Sequence, residues 1–352
     1  MLLSRLTRVS RCRVPPGGYS LIELMVAMTI GVLILIGLVT LFANNSRARA
    51  EIDRANQQTE NGRYALQLLE DDLHNAGYLA EFNPSVMATP ATKPDPCDTS
   101  VAGLNAAAPI AIQGYDDGAN APTCLSDLRA GTDILVVRHA SACAVGDAGC
   151  DAYVAGDPYF QASGCDDTAE LASGNISTYY VLDTNTANLT LHQKDCATAA
   201  SWRQYRVEIY FVANDDKTGD GVPTLKRAEL GAGGFTIVPL VDGVENLQIE
   251  YGLDTTVPTT GAPAVFTADP DSYNGCAPAV CMGYWRNVVA AKIDLLTRST
   301  TTTPGYVDRK VYTLGLNANG TANTVGPFGD GYKRHTYESL IRVNNTAERN
   351  SQ

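Results

Sequence analysis

The residues best suited to chemistry in this chain are a run of acids, a set of cysteines and one oddly placed carboxylate. Asn214-Asp215-Asp216-Lys217-Thr218-Gly219-Asp220-Gly221 puts Asp215, Asp216 and Asp220 on one glycine-containing stretch. Clustered carboxylate oxygens with glycines that allow a tight turn are a calcium-binding pattern. The EF-hand spacing is absent, however, and no Glu closes the run. A polar hairpin turn between Val212 and Thr224 uses the same residues without any ion. Asp116/Asp117 and Asp166/Asp167 read as solvated loop charges. His139, His192 and His335 show no metal or triad spacing, and GxSxG, HExxH and Walker patterns are missing. The expectation is a protein that is not an enzyme, with no cofactor.

Cysteine usage points to a compartment. Cys12 lies in a basic N-terminal tip. The other eight cysteines, Cys97, Cys124, Cys143, Cys150, Cys165, Cys196, Cys276 and Cys281, all follow a long apolar run. An even set beyond a membrane-type segment fits disulfides formed in an oxidising space. Pairing stays open, although Cys143/Cys150 and Cys276/Cys281 are close enough in sequence to close local loops. Zinc is disfavoured because no CxxC pair occurs and the histidines are scattered.

The chain has 352 residues, 45% hydrophobic and 18% charged, with a formal net charge of −12. That balance argues against general binding to nucleic-acid backbones, whose phosphates attract positive charge. Residues 1–18 run against it, carrying Arg5, Arg8, Arg11 and Arg13 and no acid. A basic tip before an apolar run is the layout of an exported or membrane-inserted N-terminus, with the basic end in the cytoplasm.

The apolar run follows directly. Leu24 to Ala43 holds no charge; as a helix it spans about 30 Å, one hydrocarbon thickness. Nothing after Phe42 resembles a signal-peptidase exit. Glu23 stands at the head of this run, where a carboxylate is costly without a partner. A cut between Gly18 and Tyr19 makes Glu23 the fifth residue of the mature chain and creates an ammonium one helical turn away. In a bundle, a neighbour's ammonium could then pair with that carboxylate.

Gly18-Tyr19-Ser20-Leu21-Ile22-Glu23 and the apolar run after it resemble the leader and N-terminal helix of type IV prepilins. The resemblance implies cleavage after Gly18 by a prepilin peptidase and N-methylation of Tyr19, where Phe is the usual residue. It also implies a helix that anchors in the inner membrane and later lines a filament core. Val241-Asp242-Gly243-Val244-Glu245-Asn246-Leu247-Gln248-Ile249-Glu250-Tyr251-Gly252 resembles a stretch of PilW-type minor pilins. Val289–Ser299 and Leu340–Asn345 are similar to the same family. The resemblance covers residues 17–78 and parts of 200–345; residues 90–200 match no pattern we identify.

The elements that must carry these residues can be read in outline. Ser46 to Gly77 lacks Pro, and Leu66, Leu69 and Leu73 recur at helical spacing, so the helix should continue to a cap at Gly77. Gly31, Gly37 or Gly62 could bend it. Residues 81–130 read as loop-rich, Ile134–Val137 as a buried strand, and residues 140–175 as a disulfide-tied insertion without strands. Strands are expected at Thr178–Asp183, pairing with Asn188–His192, and at Trp202–Val212, pairing with Thr224–Glu229. Others are expected at Phe235–Pro239, Val244–Tyr251, Val288–Thr297, Arg309–Leu314 and Tyr337–Val343.

The resulting fold class is α+β and pilin-like: a long N-terminal helix packed on antiparallel sheet, with a disulfide-rich insertion. The domains are a leader at 1–18, a helix at 19–78 with 19–43 in the membrane, and a periplasmic β-rich domain at 79–352 whose Cys-rich insertion covers about 90–200. The resemblance implies a minor pilin acting in pilus assembly near the tip. Its partners would be other minor pilins, the major pilin or a tip adhesin, and the prepilin peptidase. A type II secretion pseudopilin shares the N-terminal logic. A calcium-dependent tip adhesin or ligand-binding module is a further alternative.

Overall fold

A computed structural model describes residues 18–118 and 120–351. The leader assigned to residues 1–18, apart from Gly18, lies outside the described residues, as does Cys12. The chain divides into two compact units, one ending at Asp53 and one from Arg54 onward.

The first unit is the apolar part of helix α1, which spans Leu21–Asn75. Its hydropathy and length suffice to cross a membrane, and none of the most apolar window is buried within the protein. The helix stays α-helical through Gly31, Gly37 and Gly62. Gly62 instead serves close packing: a Cβ there would come within 2.2 Å of the Tyr337 ring.

The second unit begins with the rest of α1 and continues through α2 (Val101–Ala107), β1 (Ile112–Tyr115), β2 (Ile134–Ala140), β3 (Tyr159–Ala162) and β4 (Tyr180–Asp183). Next come β5 (Trp202–Ala213), β6 (Thr224–Gly231), β7 (Gly234–Asp242), β8 (Val244–Leu253), β9 (Val265–Thr267) and α3 (Pro278–Arg286). The chain closes with β10 (Val288–Arg298), β11 (Tyr312–Leu316), β12 (Ala322–Val325), β13 (Arg334–Arg342) and α4 (Asn344–Asn350). All strand pairs are antiparallel. The α+β class holds.

Strand β5 organises a seven-stranded sheet. One edge pairs with β2, and β1 lies beyond it. The other edge pairs first with β3 and then with β6, which carry β4 and β7 outside them. A four-stranded sheet runs β13-β10-β8-β9, and β11 and β12 form a ribbon. The run Ile134-Leu135-Val136-Val137 is apolar throughout because both faces of its sheet are covered. Leu135 and Val137 enter one core with Leu69, Leu73, Leu247 and Trp285. Ile134 and Val136 enter a second with Leu104, Phe160, Ile209 and Phe211.

Several expectations need correction. Residues 140–175 do contain a strand, β3, and the segment read as loop-rich holds α2 and β1. Thr178–Asp183 pairs through β4 with β3, not with Asn188–His192, which forms only a bridge between His192 and Ala199. The helix ends at Asn75, and Gly77 follows with a left-handed φ of 75°. Its N–H donates to the Arg138 carbonyl at 2.8 Å, which fits glycine's role just past a helix end.

Candidate functional site

The start of α1 is built by local capping. The Ser20 carbonyl accepts from the Leu24 N–H at 3.2 Å, and the Ser20 hydroxyl accepts from the Ile22 N–H at 3.3 Å. Glu23 reaches back, its Oε2 accepting from the Ser20 N–H at 3.0 Å. Ser20-x-x-Glu23 is thus a capping box, which satisfies donors that a helix N-terminus leaves open and places negative charge at the positive end of the dipole. This gives Glu23 a role within its own chain that the reading of its spacing overlooked. Tyr19 is 91% exposed, and Leu21 to Phe42 present exposed apolar side chains on every face. Such a surface is stable only against lipid or other helices.

Within the second unit, Arg54–Asn75 is gripped from many sides. Gln58 Nε2 donates to the carbonyls of Thr297 and Lys333 at 2.9 and 3.0 Å. Asn61 Nδ2 donates to the Asp242 carbonyl at 2.9 Å, and the Tyr337 hydroxyl to the Gln58 carbonyl at 3.3 Å. Asn345 Nδ2 donates to the Ala76 carbonyl at 3.0 Å, satisfying a carbonyl just past the helix end.

Asp72 extends this grip into a buried polar cluster. It accepts from the Tyr210 hydroxyl, and Arg227 Nη1 lies 3.2 Å from it. The same guanidinium is 3.6 Å from Glu208 and 2.6 Å from Glu229. His139 faces Glu208 at 3.7 Å. Burial opposes ionisation of Glu208, yet the facing His139 and Asp72 and the charge of Arg227 hold its pKa down at about 2. Burial likewise disfavours the His139 imidazolium, but the facing Glu208 carboxylate and the contact of Nδ1 with the Ala140 carbonyl carry its pKa upward. Asp72, His139 and Glu208 have the ligand types of a metal site. Arg227 already supplies the positive charge there, so the cluster reads as an ion network tying helix to sheet.

A second network closes the far end of the four-stranded sheet. The Arg334 side chain, 1% exposed, pairs with Glu245, with Asp308 at 3.0 Å and with Asp330 at 2.7 Å. The Phe328 ring lies 3.6 Å from its guanidinium carbon. The hydroxyls of Tyr306 and Tyr312 donate to Asp308.

Asp215, Asp216 and Asp220 do share one turn, between β5 and β6. Asp215 accepts from the N–H groups of Gly219 and Gly221 at 2.7 and 2.8 Å. Asp220 accepts from Lys217 and Val222 at 3.0 and 2.9 Å. These bonds are those of a self-capped polar turn. Of the pair read as solvated loop charges, Asp117 is exposed and Asp116 half-buried, and both lie beside buried Asp133. All eight cysteines beyond the apolar run pair, as Cys97–Cys124, Cys143–Cys150, Cys165–Cys196 and Cys276–Cys281. The two local closures suggested by spacing are among them.

Residues 209–345 match the family model described as type IV pilus-assembly protein W, PilW. The match is to a pilus-assembly family and covers less than half of the chain, from β5 into α4. It contains all three stretches singled out in the β-rich part of the sequence. No curated protein and no solved structure matches the chain.

Proposed function

We propose that this PilW-family chain is a minor pilin that helps prime type IV pilus assembly as one member of a minor-pilin complex. The observation that carries the reading is a membrane-length apolar helix, unburied within its own chain, leading into a unit matched by the pilus-assembly family over residues 209–345. In this account the chain enters the inner membrane with residues 1–18 in the cytoplasm and its bulk in the periplasm, where the cysteines oxidise. Prepilin peptidase cuts between Gly18 and Tyr19, and Tyr19 is N-methylated.

The capping box then holds the new N-terminus helical from Leu21 onward. Glu23 Oε1, which takes no hydrogen bond among the described residues, is left to accept from the ammonium of a neighbouring pilin. The apolar helix passes from lipid to a bundle with other pilins, and the folded unit stays outside, near the filament tip.

Affinity capture of the full chain from detergent-solubilised membranes, with partners identified by mass spectrometry, tests the assignment. Recovery of other pilus minor pilins, the major pilin or a tip adhesin is the expected result. Recovery of secretion-system pseudopilins in their place would transfer the chain to a type II secretion apparatus.

A further inference from the structure

The register of β1 against β2 creates a site that neither the family match nor the helix explains. Tyr115 pairs with Ile134. Continuing the antiparallel ladder by one residue sets Asp116 opposite Asp133. Asp117 follows, and one carboxylate oxygen from each of Asp116, Asp117 and Asp133 lies within 4.8 Å of the other two. We propose that Asp116, Asp117 and Asp133, with the hydroxyl of Tyr251, hold a hard divalent cation of the calcium class.

Charge supplies the first argument. Asp133 is 1% exposed and is held by hydrogen bonds from the Asp117 and Ile249 N–H groups, both at 2.8 Å. No Lys, Arg or His pairs with Asp116, Asp117 or Asp133 among the described residues; the nearby Lys93 bridges Asp271. Two carboxylates gathered around a buried third need either a proton or a cation, and a divalent ion neutralises two charges at once.

Unused polar atoms supply the second argument. Asp116 Oδ1 is shut off from solvent and has no hydrogen-bond partner. Tyr251 is 2% exposed, and its hydroxyl also has no partner. That hydroxyl presses on the end of β1, 1.8 Å from where a Cβ on Gly114 would stand. Residues two apart share a strand face, so Gly114 and Asp116 lie on the same side of β1 and the hydroxyl sits on the side that carries Asp116. A buried phenol oxygen without a donor or acceptor is costly unless a ligand completes it. Carboxylate and hydroxyl oxygens without nitrogen or sulfur select hard cations, and the exposed side of Asp117 leaves room for the waters that complete calcium's larger shell. Two other acidic clusters differ: Arg227 supplies the positive charge in one, and the Asp215/Asp220 turn holds no buried oxygen without a partner.

Terbium stands in for calcium and emits when a nearby aromatic ring absorbs. The Tyr251 and Trp285 rings lie 4.8 Å apart, so a bound ion beside Tyr251 has an antenna. The full chain in detergent, stripped with chelator, should show sensitised terbium emission that saturates near about one equivalent and is displaced by calcium chloride. The double variant Asp116→Asn/Asp117→Asn should weaken binding about tenfold or more, because ligand charge sets affinity. Asp215→Asn/Asp220→Asn should leave it unchanged. Should the first variant fail to fold, Tyr251→Phe keeps the ring, removes only the hydroxyl, and should likewise weaken binding. Absence of saturable emission in the unaltered chain overturns the proposal. So does binding that survives loss of Asp116 and Asp117, or of the Tyr251 hydroxyl, but fails when Asp215 and Asp220 are changed.

Discussion

Residues 90–200 and residues 209–345 fold onto the same central sheet, yet they are held together in different ways. The first stretch contains three of the four disulfides and supplies Leu104, Phe160 and Leu182 to the core on one face. The second contains one disulfide and the Arg334 ion network. It also makes most of the polar contacts to Arg54–Asn75, through Tyr210, Arg227, Asp242, Thr297, Lys333, Tyr337 and Asn345. The segment that matches the family is therefore the segment that grips the helix. The unmatched segment completes the sheet and covers its other face. It contributes β1 to β4 as integral strands, so it is a second layer of the domain and not an appendage.

That contrast can be broken at its strongest point first. Arg334→Met should cost about 3–5 kcal/mol, because it leaves Asp308 buried without its cation and strips Glu245 of its buried partner; urea unfolding measures the loss. Replacing both Cys165 and Cys196 by Ser removes a link across 31 residues and should cost about 2–4 kcal/mol. Hydrogen exchange should show that loosening concentrated in β3 and β4, with β8, β10 and β13 still protected. Equal loosening of both regions would erase the distinction.

Gly62→Ala places a methyl against the Tyr337 ring and should cost about 1–3 kcal/mol. The damage should appear at α1 and β13 while the disulfide-rich layer is unaffected. The smallest effect is a pH slope. Glu208 is held at about 2 against an ordinary 4.5, so its contribution is complete above pH 4.5 and is lost as pH falls from there toward 2. His139 is shifted upward, so its contribution is complete below the ordinary 6.5 and fades as pH rises through its higher folded value. A Glu208→Gln variant should flatten the acid limb of a stability-versus-pH curve, and an unchanged acid limb would count against the network.

The sequence was most legible where pattern and burial agree. Ile134–Val137 reads as a doubly buried strand because every residue is apolar. Trp202–Val212 and Thr224–Glu229 pair as expected because an Asp/Gly turn separates them. Short elements were harder. Strand β3 has only four residues, set among cysteines and glycines that look like loop. Helix α3 hides a usable start signal, Pro278 at its first turn, behind a cysteine pair that looks like a closed loop. The Ser20-x-x-Glu23 spacing is that of a capping box, a role that competes with any partner sought for a carboxylate beside an apolar run. Asp133 could not have been joined to Asp116 and Asp117 from sequence, because only the β1–β2 register brings them together.

The central claim is that this chain is processed and assembled as a pilin, and the mature N-terminus tests it most directly. Peptide mass spectrometry of the native membrane protein should find a chain that begins at N-methylated Tyr19. A chain that keeps residues 1–18 in cells with active prepilin peptidase would contradict the account and leave an ordinary membrane-tethered domain in its place.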